Sequence, residues 1–132
     1  AVFQPGDHGS TYSGTAIATA AVNAVIDEMQ RIDAPAVAQQ QGQRIVDALR
    51  SVPGVVDVRG RGLMLGVELA DGIDAKAVYG DLLGLGLIVN AVTPNTLRLV
   101  SPITVTDEEI DEAVAMIAAS LESALDTGEA ST

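Results

Sequence analysis

The clearest periodic signal lies near the C-terminal end, where Ile110, Val114, Ile117, Leu121 and Leu125 recur at three- and four-residue steps behind Thr106-Asp107-Glu108-Glu109. A threonine followed three residues later by a glutamate forms a capping box, in which each side chain satisfies the other residue's backbone N–H, so a helix starts there. Near the other end, Ile17, Ala21, Ala24, Val25 and Ile32 fall close to helical spacing and predict a helix over about 14–31. Asp33 and Pro35 resemble a second helix start, and Val37, Ile45, Val46 and Leu49 carry its apolar stripe towards Pro53-Gly54. The second helix is therefore expected over about 34–51.

The middle of the chain changes period. Val55–Arg59 and Leu63–Leu69 are β-prone runs separated by Gly60-Arg61-Gly62, and Leu63, Leu65, Val67 and Leu69 share one face of the second run. Asp74 is placed to cap a short helix through Leu83, which Gly80 interrupts and the glycines at 84 and 86 end. Leu87–Ala91 and Thr96–Val100 flank Thr93-Pro94-Asn95, which predicts a hairpin. Two helices, two strands, a helix, two strands and a helix make an α+β unit with its helices against one sheet face. The loop over 1–13 and the first helix read as an arm reaching to something else, and 128–132 are expected to form a disordered tail.

Composition narrows the function classes. Among 132 residues, 18 acids oppose 7 bases, for a formal charge of −11. The bases are scattered, so a nucleic-acid partner is not expected. The stretch from Ser101 onward holds eight of the acids and no base. Apolar residues make up 48% of the chain, too many for disorder, yet no run approaches the roughly 20 residues needed to span a bilayer. No membrane association is expected. Without cysteine there is no disulfide framework, thiolate nucleophile or zinc–thiolate site, and with no export leader visible a cytoplasmic location is expected. One Phe, two Tyr and no Trp leave a core of Ala, Val, Leu and Ile that is short of large anchors. The opening Ala1-Val2-Phe3-Gln4-Pro5-Gly6 looks like a cut, with further chain expected upstream.

Three places could carry chemistry. Ser10, Thr11, Tyr12 and Ser13 stand between glycines just before a helix N-terminus, where hydroxyls and backbone N–H groups either hold a phosphate or cap the helix. His8 has only its sequence neighbours Asp7 and Ser10 as helpers, which is not a built triad, and reads as a solvated or loop-stabilising residue. Arg98 interrupts Leu97 and Leu99 and faces away from them on a strand, so it is either a fixed two-pronged grip for a carboxylate or a surface arginine. Arg59 and Arg61 are open to anion binding or to simple turn chemistry. Lys76 is the sole lysine, with nothing around it that marks a desolvated pocket, and the acids at 107–112 serve the helix start. No metal site is read.

Four segments together resemble the C-terminal portion of class III pyridoxal-phosphate aminotransferases, closest to the acetylornithine type. They are Pro5-Gly6-Asp7-His8-Gly9-Ser10-Thr11-Tyr12, Arg59-Gly60-Arg61-Gly62-Leu63-Met64-Leu65-Gly66-Val67-Glu68-Leu69, Gly86-Leu87-Ile88-Val89-Asn90-Ala91 and Asn95-Thr96-Leu97-Arg98-Leu99. Their order and spacing match across essentially the whole chain. The resemblance implies the small domain of a fold-type I pyridoxal-phosphate transferase over 34–127, preceded over 1–33 by a cofactor-contacting loop and an interdomain helix. It implies a homodimer in which Thr11 binds the phosphate of the pyridoxal 5′-phosphate held by the neighbouring subunit. Ser10 would help to hold acetylornithine, and Arg98 would grip the α-carboxylate of the small amino or keto acid. The implied reaction moves an amino group between N-acetylornithine, or an ornithine-like amine, and 2-oxoglutarate, in arginine biosynthesis. The lysine that carries the cofactor would lie upstream of Ala1, so no catalytic residue is assigned in this chain and it is expected to be inactive alone. Ser13-Gly14-Thr15-Ala16 replaces the Gly-Gly-Asn-Pro usual in the family. The competing reading is a free-standing, non-catalytic small domain that binds a partner or an anionic ligand.

Overall fold

The capping box forms as expected: the Glu109 carboxylate accepts from the Thr106 N–H at 2.8 Å, and the Thr106 hydroxyl accepts from the Glu109 N–H at 3.2 Å. The computed structural model describes residue 2 and residues 4–129, with side chains as far as 126. In chain order its elements are α1 (Ala16–Arg31), α2 (Ala34–Leu49), β1 (Val55–Arg61), β2 (Met64–Leu69), α3 (Ala75–Gly84), β3 (Asn90–Thr93), β4 (Thr96–Val100) and α4 (Asp107–Glu129). They divide into two units, one up to Ala34 and one from Pro35 onward.

In the first unit, Thr15 caps α1, accepting from the Ala18 N–H at 3.4 Å while its own hydroxyl donates to the Tyr12 carbonyl at 3.2 Å. No residue of α1 is buried. Ile17 is 85% exposed, and Val22, Val25, Ile26 and Met29 are exposed with it. A 16-residue helix without tertiary burial is marginal on propensity alone.

The second unit is built on an antiparallel sheet of order β1-β2-β4-β3. Val58, Leu65, Val67, Leu69, Leu97 and Leu99 turn one face inward, where they join Ile45 and Leu49 of α2, Val78 and Leu82 of α3, and Ile110, Ile117 and Leu121 of α4 in one apolar core. The expected α+β architecture is borne out. Arg44 ties α2 to α4 at the surface through Asp111 at 2.8 Å and Asp107 at 3.4 Å, and the Asp111 hydrogen bond raises the guanidinium's already high pKa. Inside the core, the Ser120 hydroxyl is buried without a hydrogen-bond partner. Burying such a group is unfavourable, and alanine is the better helix former, so Ser120→Ala is expected to raise unfolding stability by about 0.5–1.5 kcal/mol, as read by urea titration. A loss of stability would show that the hydroxyl has a partner after all.

Several boundaries differ from expectation, most of them by one or two residues. β1 runs on through Gly60 and Arg61 to a two-residue turn at Gly62-Leu63, because Gly60 lets the Met64 carbonyl approach to within 2.1 Å of where a Cβ would stand. Gly80 does not interrupt α3, which ends where Gly86, at φ 95°, lets Gly86 and Leu87 donate to the Leu83 and Leu82 carbonyls at 3.1 and 2.8 Å. That closure consumes the Leu87 N–H, and β3 begins only at Asn90 rather than at Leu87. α4 continues through Gly128 and Glu129, two residues into the expected tail; residues 130–132 lie outside the described ones.

Candidate functional site

Arg98 sits on β4, an inner strand hydrogen-bonded on both sides, between Leu97 and Leu99, which are both buried. Period-2 alternation therefore forces its side chain onto the open face of the sheet, as read from the sequence. The β3–β4 turn at Pro94-Asn95 is fixed from outside the hairpin. The Ala75 N–H at the start of α3 donates to the Pro94 carbonyl at 2.8 Å, and the Leu69 N–H at the end of β2 donates to the Asn95 carbonyl at 2.8 Å. Within the turn, Asn95 Oδ1 accepts from the Thr93 and Thr96 hydroxyls at 3.0 and 3.4 Å. The strand under Arg98 is thus anchored at both its turn and its flanks.

Cross-strand register places Arg59, Gly66, Arg98 and Asn90 in one row across all four strands. Gly66 contributes no side chain, so the two arginines flank an open position in a shallow concavity that Met64, Val92 and Thr93 also line. Their charges are treated differently. Arg59 is paired with Glu68, with Asp57 at 3.6 Å beside it, and the Glu68 hydrogen bond pushes the guanidinium further above its ordinary range. Of the two uses open to Arg59, anion binding is the one this pairing opposes. Arg98 has no carboxylate within ion-pair distance among the described residues; its Nη2 donates to Asn90 Oδ1 at 3.2 Å. An exposed guanidinium steadied by a neutral amide keeps its full charge for an incoming anion.

In the first unit, the loop before α1 separates capping from the rest of its hydroxyls. Thr15 takes the cap and Ser13 donates to the Ser10 carbonyl at 3.4 Å, while the exposed Ser10 and Thr11 hydroxyls make no hydrogen bond among the described residues. Asp7 turns back onto the Gln4 N–H at 2.7 Å, which closes a local turn. Two uncommitted hydroxyls beside a helix N-terminus suit a phosphate, so this loop fits the phosphate end of a cofactor such as pyridoxal 5′-phosphate. His8 is exposed, and the described residues hold no cluster of three or more His, Asp or Glu side chains arranged for a metal ion. Lys76 is exposed on α3, and no described helix is long and apolar enough to cross a membrane.

The structure adds Asn90, which sequence reasoning passed over as part of an apolar run. The only signal was that Asn90 breaks Leu87-Ile88-Val89 eight positions before Arg98, and this does not determine which β3 residue stands opposite the arginine.

Residues 1–121 match the sequence model of the class-III aminotransferase family. The chain is 42% identical over 120 residues to the acetylornithine aminotransferase of Corynebacterium efficiens, covering 91% of this chain and 29% of that protein. It is 41% identical over 119 residues to the ornithine aminotransferase of Bordetella pertussis, covering 89% and 29%. Among solved structures, an ornithine aminotransferase from Toxoplasma gondii, described with partial occupancy of PLP at its active site, superposes with a TM-score of 0.78 at 29% identity, covering 96% of this chain and 31% of that one. A lysine aminotransferase from M. tuberculosis gives 0.75 at 26% identity, covering 91% and 29%. The chain therefore spans less than a third of the length of these relatives.

Proposed function

Since the chain belongs to the class-III aminotransferase family, we propose that it is the C-terminal part of an acetylornithine-type aminotransferase. The full-length enzyme moves an amino group between N-acetylornithine, or an ornithine-like amine, and 2-oxoglutarate, in arginine biosynthesis in the cytoplasm. The observation that carries this reading is Arg98: a guanidinium on an anchored strand, beside an open glycine position, with an amide and, among the described residues, no carboxylate as its partner. Both amino donor and keto acceptor carry a carboxylate, and two parallel N–H···O bonds from one guanidinium orient either of them.

Thr11 and Ser10 supply the other half of this chain's contribution. Thr11 donates its hydroxyl to the phosphate of the cofactor held by the neighbouring subunit of a homodimer, and Ser10 to the acetylornithine substrate. When bound, pyridoxal 5′-phosphate supplies the electron-accepting ring on which amino-group transfer depends. The exposed apolar residues of α1 support the same assembly. In a protein three times longer, the remaining chain is available to cover Ile17, Val22, Val25, Ile26 and Met29.

On this reading the chain by itself binds no cofactor covalently, because Lys76 is its only side-chain amine and is exposed. Mixing the chain with pyridoxal phosphate, reducing with borohydride and mapping the adduct is expected to give no stoichiometric label at Lys76, whereas the full-length enzyme is labelled at a lysine upstream of this chain. Site-specific labelling of Lys76 accompanied by turnover would overturn the assignment of catalysis to the upstream portion. A full-length product that begins at Ala1 would favour the non-catalytic domain instead.

A further inference from the structure

We infer that Asn90 is a positioning residue for Arg98 and sets the strength with which the site holds carboxylates; this rests on the reading of Arg98 given above. Three observations carry it. A bulge lies between Ala91 and Thr93, so Asn90, and not Ala91, stands opposite Arg98 in the β3–β4 ladder. A plain ladder from the Thr93–Thr96 pair would put Ala91 there and turn Asn90 to the other face. Asn90 Oδ1 then accepts from Arg98 Nη2 at 3.2 Å, restraining one edge of the guanidinium, whose other donors have no partner among the described residues. On the same face, the other arginine of the row is neutralised by Glu68 and Asp57. The two arginines thus differ in the charge of the partner: a carboxylate would silence Arg98 as it silences Arg59, and an amide holds it without doing so.

The choice of amide over acid makes opposite demands on stability and on binding. Asn90→Asp converts the amide contact into an ion pair, which leaves the fold as stable or slightly more so, yet sets an internal carboxylate against the substrate's. Asn90→Ala removes the restraint without adding a competitor. A merely structural asparagine would lower stability and binding together in both variants.

The test uses the full-length enzyme as purified and glutarate, an unreactive dicarboxylate, as the probe, with affinity read by calorimetry and folding by thermal melting. Asn90→Ala is expected to weaken glutarate by roughly two- to tenfold, because Asn90 acts on the ligand only through the orientation of Arg98 and its loss leaves the guanidinium's own bonds to the carboxylate available. Asn90→Asp is expected to weaken it by about tenfold or more, because charge-assisted pairing is the stronger competitor, with a melting temperature equal to or above that of the parent. Arg98→Ala serves as the reference. If it weakens glutarate while Asn90→Asp binds as the parent does, the positioning role is wrong and the reading of Arg98 stands. If Arg98→Ala itself leaves the affinity unchanged, the carboxylate site falls and this inference with it. A melting temperature that drops along with affinity in Asn90→Asp would make Asn90 structural and overturn the proposal.

Discussion

Arg98→Ala in the full-length enzyme is expected to lower kcat/KM for both the amino donor and 2-oxoglutarate by about 2–5 kcal/mol, or roughly thirtyfold to several thousandfold. Two alternatives set the scale. Truncating a guanidinium that only decorates a solvated sheet face costs about 0–1 kcal/mol, whereas removing one partner of a desolvated, hydrogen-bonded charge pair costs the larger figure. In this chain Arg98 is exposed and has no carboxylate partner among the described residues, so its removal should not disturb the fold. Arg98→Lys keeps the charge and loses the planar fork, and is expected to act mainly by raising KM for carboxylate-bearing substrates. Steady-state kinetics with each substrate, alongside a melting curve for each variant, reads the effect. Near-parental efficiency of both variants with both substrates would reduce Arg98 to a surface residue.

Gly42→Ala is expected to destabilise the second unit by about 1–3 kcal/mol, against the usual rule for a helix interior. An alanine in place of a helical glycine normally contributes about 1 kcal/mol of stability. At Gly42, however, the new Cβ would stand 2.1 Å from the carbonyl oxygen of Gly62 and 2.6 Å from its carbon. That oxygen belongs to the β1–β2 turn, where Gly62 adopts φ 55° and Ala38 packs against it, so the obstacle is backbone rather than the end of a movable side chain. Gly80 in α3 is the control, since a Cβ there would meet nothing within 4 Å. Gly80→Ala is expected to stabilise by roughly 0.5–1 kcal/mol, giving two helical glycines with opposite signs. Urea unfolding of the parent and both variants measures this directly. Equal gains from both substitutions would mean that α2 does not bear on the turn.

Much of the fold is legible in the linear pattern because its causes are local. The capping box at Thr106 and Glu109, the N-cap at Asp74 and the left-handed Gly86 each act within a few residues, and the structure forms all three. The alternation of Leu97, Arg98 and Leu99 likewise fixes on which face of β4 the arginine emerges, since side chains along a strand have a strict period of two. The motif order was enough to indicate the aminotransferase family, which the match over residues 1–121 shows. Boundaries were less legible wherever glycine was involved. Gly60 reads as a breaker and is instead a point of close strand approach, and Gly80 reads as an interruption and is simply tolerated.

What the sequence determined by itself was the set of elements, the side of the sheet on which Arg98 stands, and the candidate residues Ser10, Thr11 and Arg98. The tertiary structure decided which partners these groups have. Glu68 reaches Arg59 only because β2 pairs with β1, and Asn90 reaches Arg98 only because one bulge shifts β3 by a single residue. Gly42 is critical only because a turn about twenty residues later is packed against its helix. In the loop, Thr15 takes the cap and thereby leaves the Ser10 and Thr11 hydroxyls without a hydrogen bond among the described residues. These are matters of register and packing between segments distant in sequence, or of competition among neighbouring hydroxyls for one N–H group. A one-residue change in register exchanges the residue facing a given neighbour without altering any local propensity, and the chain's hydrophobic pattern therefore carries no record of it.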